Sequence, residues 1–143
     1  MSAIMNVLLV EDNPAEADLM LEVLQDCQGG HTQTRVASSG EQAMDILYQR
    51  TGFEDSVRPN IILLDINLPA MNGKQVLAEV KSNPNLLSIP ILMLTSSQAK
   101  EDINECYSLH ANAYMVKPVD YESLVKLMDN LEAYWFSNVQ YPH

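Results

Sequence analysis

The sequence predicts an α/β fold in which helices cover both faces of a doubly wound parallel sheet. Five short apolar segments rich in branched residues alternate with five segments of helical periodicity along the 143 residues. Parallel strands need crossover connections, and right-handed crossover helices pack back against the sheet. The apolar segments cover residues 4–10, 32–36, 61–64, 89–94 and 113–116. We therefore expect five parallel strands and five helices.

The composition of each strand predicts its place in the sheet. The third and fourth strands contain the runs IILL and ILML, and continuous apolar runs are typical of central strands that are buried on both faces. The second strand, TQTRV, alternates between polar and less polar residues. Because such alternation indicates one solvated face, we place this strand at an edge of the sheet.

The helices are predicted from apolar residues spaced three and four positions apart. The first begins with Asn13 as a plausible N-cap and Pro14 at the first helical position. The fourth has the weakest pattern because its apolar residues are sparse. The last has the clearest stripe, formed by Leu124, Leu127, Met128, Leu131 and Trp135. The predicted helices cover residues 14–27, 40–50, 73–81, 98–109 and 120–137.

The length and charge restrict the class of protein. A chain of this size is expected to form one domain over residues 1–143, with a core from about residue 5 to residue 137 and a short C-terminal tail. Eight Lys and Arg oppose nineteen Asp and Glu, so the net charge is −11. Such a surface repels nucleic acid and anionic membranes. Without a membrane segment or a targeting leader, the sequence predicts a soluble, cytoplasmic protein.

The cysteines and histidines form no recognisable site. Cys27 and Cys106 are far apart and lack any CxxC or Cys/His spacing suited to zinc, which indicates free or buried thiols. His31, His110 and His143 are separated from the acidic residues discussed below and are interpreted as surface residues.

Polar residues follow four of the five predicted strands. Glu11 and Asp12 follow the first strand, Asp65 the third, Thr95 the fourth and Lys117 the fifth. In a doubly wound sheet, ligands bind beyond the carboxyl ends of the strands. The sequence therefore predicts that carboxylates, a hydroxyl and an ammonium group meet at one edge.

These groups together suit phosphoryl transfer. Three carboxylates 4 Å apart would repel one another by about 4 kcal/mol per pair at an effective dielectric of 20, so a divalent cation is implied. Oxygen ligands without a soft donor favour Mg²⁺ or Mn²⁺. One carboxylate could attack a phosphoryl group while the metal and the lysine neutralise its oxygens. The product would be an acyl phosphate on Asp.

Each of these residues also has an ordinary structural interpretation. Glu11 and Asp12 could simply open the first helix, because acids favour helix N-termini. Asp65 could be a turn residue, and Lys117 could be a surface residue at a strand end. Thr95, with Ser96 and Ser97, could form an N-cap cluster for the fourth helix, a role that can coexist with the functional one. Their joint occurrence at one edge favours the functional interpretation.

Four motifs together resemble the receiver domains of response regulators, the CheY-like domains of two-component signalling. They are VLLVEDN at 7–13, ILLDINLPAMNG at 62–73, ILMLTSS at 91–97 and AYMVKPV at 113–119. The resemblance covers residues 7 to about 135. It implies a flavodoxin-like fold with the strand order 2-1-3-4-5.

The resemblance also implies roles for the acidic residues. Asp65 is the expected phosphoacceptor, and Glu11 and Asp12 are the expected acid pair. Asp12 should be the direct metal ligand of that pair. Asn67 should supply a metal-binding backbone carbonyl beside the Asp65 carboxylate. The expected cofactor is Mg²⁺ or Mn²⁺.

Further roles are implied for residues after the fourth and fifth strands. Thr95 matches the hydroxyl that bonds the phosphoryl group, and Lys117 matches the cation that pairs with it. Tyr114 matches the aromatic residue whose rotamer changes on phosphorylation, although an aromatic in a short edge strand is more commonly packing. The peptide bond between Lys117 and Pro118 is expected to be cis.

The stretches VEDNPAEADLMLEVL at 10–24 and SNPNLLSIPILMLTSS at 82–97 give the chain a closer resemblance to the stand-alone regulators of cyanobacterial phytochromes. It implies a light-sensing histidine kinase as the phosphoryl donor, so the phosphorylated histidine is expected on that partner. A homodimer is also expected, through a face built from the fourth helix, fifth strand and fifth helix. The aromatic end Tyr134-Trp135-Phe136 would serve as helix-end packing or take part in that dimer.

Three functions compete at this point. The first is a phosphorylation switch that is not a metabolic enzyme but catalyses its own phosphotransfer and autodephosphorylation. The second is a phosphatase of the haloacid-dehalogenase type, which is disfavoured because its usual second acid, two residues after Asp65, is Asn67 here. The third is an interaction module that works without phosphorylation.

Overall fold

Strands and helices alternate along the chain in the computed structural model, which describes residues 4–25, 32–136 and 139–142. The strands are β1 (Met5–Val10), β2 (Thr32–Ala37), β3 (Ile61–Leu64), β4 (Ile91–Thr95) and β5 (Ala113–Val116). The helices are α1 (Pro14–Gln25), α2 (Gly40–Leu47), α3 (Gly73–Ser82), α4 (Lys100–Ser108) and α5 (Tyr121–Tyr134). All paired strands are parallel, and their order is β2-β1-β3-β4-β5, which confirms the predicted topology.

The sheet is buried at its centre and solvated at its edges. Every residue of β3 and β4 is buried, whereas β2 alternates between exposed and half-buried residues at one edge. The predicted edge position of β2 is therefore confirmed. β5 forms the other edge, and its residues are half-buried.

Two apolar cores lie on opposite faces of the sheet. Helices α1 and α5 cover one face, where Leu63 of β3 packs with Met20 and Met128. Helices α2, α3 and α4 cover the other, where Ile62 packs with Met44 and Val76. Truncating such a fully buried side chain to alanine costs about 2–5 kcal/mol, so both layers are needed for stability.

Polar side chains fix the starts of α1 and α3. The Asn13 Oδ1 atom accepts hydrogen bonds from the backbone N–H groups of Ala15 and Glu16, which confirms the predicted cap of α1. At the start of α3, Asn72 and Gln75 form a reciprocal capping box. Such caps stabilise a helix by about 1 kcal/mol each.

Three helix boundaries within the described residues differ from the prediction by two or more residues. Helix α2 ends at Leu47 instead of residue 50, because Gln49 adopts a left-handed conformation with φ 54° that reverses the chain. Helix α4 begins two residues later than predicted, at Lys100. Helix α5 ends at Tyr134. The predicted end of α1 at residue 27 falls outside the described residues, as do Cys27, His31 and His143.

The segments outside these elements are tied to the body of the domain. In the connection before β3, Ser56 is buried and its hydroxyl donates to the Ile46 carbonyl. After α5, the Tyr141 hydroxyl donates to the Trp135 carbonyl. Cys106 is a buried free thiol, as predicted. Among the described residues, no helix is both long enough and apolar enough to span a membrane.

Candidate functional site

The residues that follow β1, β3 and β5 meet at the carboxyl edge of the sheet, as the sequence predicts. The parallel register places the end of β3 beside the end of β1, where the Asp65 N–H donates to the Val10 carbonyl at 3.3 Å. Lys117 follows β5, and its backbone N–H donates to the Thr95 carbonyl at 2.8 Å. The topology therefore gathers the predicted site residues from four strands.

Two close backbone contacts shape the loop after Asp65. A Cβ atom on Gly73 would lie 2.0 Å from the Asp65 carbonyl oxygen, and one on Gly40 would lie 2.3 Å from the Met71 carbonyl oxygen. Real Cβ atoms do not approach so closely, so only glycine fits at these positions. The loop is thus packed between the end of β3 and the start of α2.

Three carboxylates form a cluster at this edge. Oxygen atoms of Glu11, Asp12 and Asp65 all lie within 4.8 Å of one another. Glu11 and Asp65 are buried and Asp12 is exposed. Burial raises the pKa of Glu11 despite its hydrogen bonds from Lys117 and Asn13. Closely spaced carboxylate oxygens are the donors that a hard divalent cation prefers, so this cluster fits Mg²⁺ or Mn²⁺.

The Lys117 ammonium group balances part of this negative charge. Its Nζ atom donates to Glu11 and, at 2.9 Å, to Oδ2 of Asp65. Burial alone would lower the pKa of Lys117, but the hydrogen bonds to Asp65 and Glu11 outweigh it and raise the pKa above the ordinary lysine value. Lys117 is therefore a fixed positive charge beside the Asp65 carboxylate.

The two oxygens of Asp65 have different partners. Oδ2 accepts from Lys117, and Oδ1 accepts from the backbone N–H of Asn67 at 3.1 Å. These bonds hold the carboxylate in one orientation at the end of β3. The backbone carbonyl of Asn67 stays a predicted metal ligand.

The hydroxyl of Thr95 has no hydrogen-bond partner among the described residues, although Thr95 is completely buried. Leaving a buried polar group unpaired costs about 1–3 kcal/mol, so such a group is uncommon. It fits a site in which the hydroxyl is reserved for an incoming oxygen. Thr95 itself does not cap α4, because its hydroxyl is unpaired and Ala99 occupies the cap position. Of the predicted cap cluster, Ser97 contacts the start of α4, where its Oγ atom accepts from the Ala99 N–H at 3.2 Å.

Tyr114 of β5 contacts the segment between β4 and α4. Its ring is partly buried against the core under α4, and its hydroxyl donates to the Ser97 carbonyl at 2.9 Å. Burial raises the pKa of Tyr114. The residue is therefore both core packing and a link to Ser97, and its switch role stays a prediction.

The prediction of a cis peptide bond between Lys117 and Pro118 is wrong, because none of the described peptide bonds is cis. Trans is the ordinary state even before proline, by about 0.5–1 kcal/mol. The lysine side chain reaches Asp65 and Glu11 from this trans backbone.

Two sets of contacts were not predicted from the sequence. Glu16 of α1 places Oε2 3.5 Å from the Lys117 Nζ atom. Lys74 of α3 bonds Asp102 of α4 at 2.6 Å, and Asp102 in turn accepts from the Ser97 hydroxyl. Position in the first turn of α1 is the sequence signal that could have identified Glu16. The Lys74–Asp102 pair joins residues 28 positions apart and has no local signal.

Of the three histidines predicted to lie away from the acidic residues, His110 is the one among the described residues. This residue follows α4 and precedes β5, so it lies toward the amino edge of the sheet. It is exposed and has a left-handed φ of 74°. His110 is thus at the opposite end of β5 from Lys117, which agrees with the prediction.

Comparisons with known proteins agree with this geometry. The model of the response regulator receiver domain family matches residues 7–129. The chain is 40% identical over 136 residues to response regulator Rcp1 of Synechocystis sp.. This alignment covers 95% of this chain and 92% of that protein. It is 34% identical over 129 residues to the probable methanogenesis regulatory protein FilR2 of Methanothrix harundinacea, covering 90% and 82%.

Solved structures of similar proteins share the fold. The crystal structure of Mn²⁺-bound Rcp1 superposes with a TM-score of 0.90 at 39% identity and covers 97% of this chain and 99% of that one. The crystal structure of the phosphorylated cyanobacterial phytochrome response regulator RcpA gives a TM-score of 0.93 at 35% identity, with 99% and 100% covered. The predicted flavodoxin-like architecture is therefore confirmed.

Proposed function

Because the chain belongs to the response regulator receiver domain family, we propose that Asp65 is its phosphoacceptor and that a sensor histidine kinase is the donor. One observation carries this proposal. The Asp65 carboxylate lies 2.9 Å from the Lys117 ammonium group and shares a cluster with the carboxylates of Glu11 and Asp12. A nucleophile, a cation and a set of metal-binding oxygens are thus assembled at one point.

The transfer follows from the positions of these groups. An oxygen of Asp65 attacks the phosphorus atom, and the bond from phosphorus to the donor nitrogen breaks as the imidazole leaves. Lys117 neutralises charge on the phosphoryl oxygens. The hydrogen bond that the Asn67 backbone N–H donates to Asp65 keeps the Asp65 carboxylate oriented. Asp12, Asp65 and the Asn67 carbonyl, with Glu11 completing the carboxylate cluster, would hold Mg²⁺, which would supply the additional positive charge that phosphoryl transfer needs.

Thr95 and Tyr114 transmit the change. The free Thr95 hydroxyl donates to a phosphoryl oxygen, since it has no other described partner. Its rotation vacates space near Tyr114, whose own hydroxyl is bonded to Ser97. The segment after β4 and the surface of α4, β5 and α5 are then changed by phosphorylation.

The proposed function is that of a phosphorylation switch and not that of a metabolic enzyme. Receiver domains act in this way, and the chemistry proposed for this chain is limited to formation and hydrolysis of its own acyl phosphate. The position two residues after Asp65 holds Asn67, whose side chain cannot act as the second acid of a haloacid-dehalogenase-type phosphatase. A phosphatase acting on external substrates is therefore not favoured.

The partners that we propose are a phytochrome kinase and a second copy of the chain. RcpA is described as a cyanobacterial phytochrome response regulator, and it matches this chain over nearly its whole length. Exposed apolar side chains at Tyr107, Val119 and Tyr121 support the face built from α4, β5 and α5 as the proposed dimer contact. Because a histidine kinase takes its phosphoryl group from ATP, the exchange belongs in the cytoplasm.

The proposal is tested by chemical phosphorylation. The protein is incubated with phosphoramidate and Mg²⁺, and its intact mass is followed with and without hydroxylamine, which cleaves acyl phosphates. We expect one phosphoryl group on the wild type and none on Asp65→Asn. Equal labelling of the Asn variant would refute Asp65 as the phosphoacceptor.

A further inference from the structure

Glu16 is the exposed end of the ion-paired cluster at the site. Its Oε2 atom lies 3.5 Å from the Lys117 Nζ atom. The side chains of Glu11, Asp65 and Lys117 are at most 8% exposed, whereas that of Glu16 is 47% exposed. A phosphoryl donor that approaches Lys117 from solvent therefore passes near the Glu16 carboxylate.

The start of α1 fixes the backbone of this residue. Glu16 lies in the first helical turn, and its backbone N–H donates to the side chain of the capping residue Asn13. An acid at this position ordinarily does no more than stabilise the positive end of the helix. The contact with Lys117 is additional to that role, because helix stabilisation does not require a cation from the segment after β5.

Asp18 shows what an acid on α1 does without that contact. It is exposed and lies two positions after Glu16, so the two side chains point to different sides of the helix. Asp18 forms no ion pair with the described residues. It is therefore a matched control that carries the same charge on the same helix.

The charges around Lys117 are unbalanced. Glu11, Asp12, Asp65 and Glu16 supply four carboxylates, and the Lys117 ammonium group pairs with three of them, Glu11, Asp65 and Glu16. A bound divalent cation still leaves the set with an excess of negative charge. This excess repels each further negative charge on an approaching donor. Glu16 is the acid most accessible to solvent among those ion-paired with Lys117, so its repulsion acts before the donor reaches the buried groups.

We propose that Glu16 is a specificity-determining residue that disfavours phosphoryl donors arriving as free dianions relative to nitrogen-linked donors of lower negative charge. This inference rests on the function proposed above. The preferred class includes the phosphoimidazole of a phosphohistidine whose ring is protonated, because its net charge is minus one and its phosphorus–nitrogen bond is the one broken in the transfer. Small oxygen-linked acyl phosphates form the disfavoured class.

Two small donors separate these classes. With acetyl phosphate, an Asp65 oxygen bonds phosphorus while the phosphorus–oxygen bond breaks, and acetate leaves with the bonding electrons. With phosphoramidate, the phosphorus–nitrogen bond breaks and the already protonated nitrogen leaves as ammonia. Near neutral pH the first donor is a dianion, whereas the second has a net charge of minus one.

The experiment measures phosphorylation rates by intact mass with Mg²⁺ for the wild type, Glu16→Gln, Glu16→Asp and Asp18→Asn. We expect Glu16→Gln to accelerate the reaction with acetyl phosphate by about three- to tenfold at low salt and the reaction with phosphoramidate by clearly less. The gain should shrink at high ionic strength, because the Debye length falls to about 8 Å at 0.15 M. Glu16→Asp and Asp18→Asn should keep the wild-type ratio of the two rates.

The ratio of the two rates decides the outcome, and a purely structural role would not change it. Equal acceleration with both donors, no acceleration, or the same effect in Asp18→Asn would each overturn the proposal while leaving the phosphoacceptor assignment intact. Failure of both donors to label the wild type would instead contradict the proposed function, and this inference would fall with it. Thermal melting of each variant verifies that the rates compare folded proteins.

Discussion

The hydroxyl of Tyr114 donates a hydrogen bond to the backbone carbonyl of Ser97, 2.9 Å away. Ser97 lies two residues after Thr95, whose buried hydroxyl has no described partner. The same Ser97 donates its side-chain hydroxyl to Asp102 of α4. A change at Thr95 therefore reaches both β5 and α4 through one short segment of backbone.

Replacing Thr95 by valine should raise stability and abolish signalling at the same time. Valine has nearly the same shape and removes a buried unpaired hydroxyl, so we expect unfolding to cost about 1 kcal/mol more and Tm to rise by about 2–4 °C. Asp65 should still be phosphorylated. Amide hydrogen exchange of residues 96–99, compared with and without phosphorylation, should show the change in wild type and not in the variant.

The matched control for this prediction is Thr95→Ser, which keeps the hydroxyl. It should retain the exchange difference even though it loses a methyl group and some stability. A Thr95→Val protein that is phosphorylated and shows the full wild-type difference would reject the hydroxyl as the relay, and Tyr114 would then be packing alone.

Asp12→Ala should remove metal-dependent phosphorylation. Asp12 is the exposed member of the carboxylate cluster, and losing one of few protein ligands weakens a Mg²⁺ site that keeps several waters. We expect Mn²⁺ affinity, measured by electron paramagnetic resonance, to fall by about tenfold or more, in the range seen when metal sites are disturbed. Asp18→Asn has a similar loss of charge on the surface and should bind the metal normally. Unchanged affinity in Asp12→Ala would contradict the proposed ligand set.

The chain should form a homodimer through the face of α4, β5 and α5. Val119 is fully exposed and Tyr121 is half exposed, and large apolar side chains in such positions mark contact surfaces. Sedimentation velocity at about 50 µM, a concentration suited to a contact of roughly 1,000 Å², should show a dimer. Val119→Asp should shift it toward the monomer.

Val57→Asp provides the comparison for this dimer prediction. Val57 is also an exposed apolar residue, but it lies in the connection before β3 and away from α4 and α5. The same charge introduced there should leave the sedimentation coefficient unchanged. A monomer in both phosphorylation states of the wild type would refute the predicted dimer.

The sequence predicts the sheet and the gathering of the site residues for a simple physical reason. Short continuous apolar runs are typical of central strands, and parallel topology brings all carboxyl ends to one edge. The strand pattern alone therefore predicts that Glu11, Asp65 and Lys117 meet. The end of α2 was misplaced because Gln49 is not a typical left-handed residue. Contacts of Lys117 with Glu16 depend on side-chain reach across two elements, which periodicity does not encode.

The glycine after Asn72 has a dynamic consequence. Gly73 is the first residue of α3, a Cβ atom on it would lie 2.0 Å from the Asp65 carbonyl oxygen, and its N–H donates to the Ile66 carbonyl at 2.9 Å. The residue that accepts the phosphoryl group and the first turn of a helix are therefore parts of one cooperative unit in local unfolding. Thermal opening of the loop at Asp65 must detach the start of α3. The stability of α3 therefore limits how often the backbone of the nucleophile Asp65 moves.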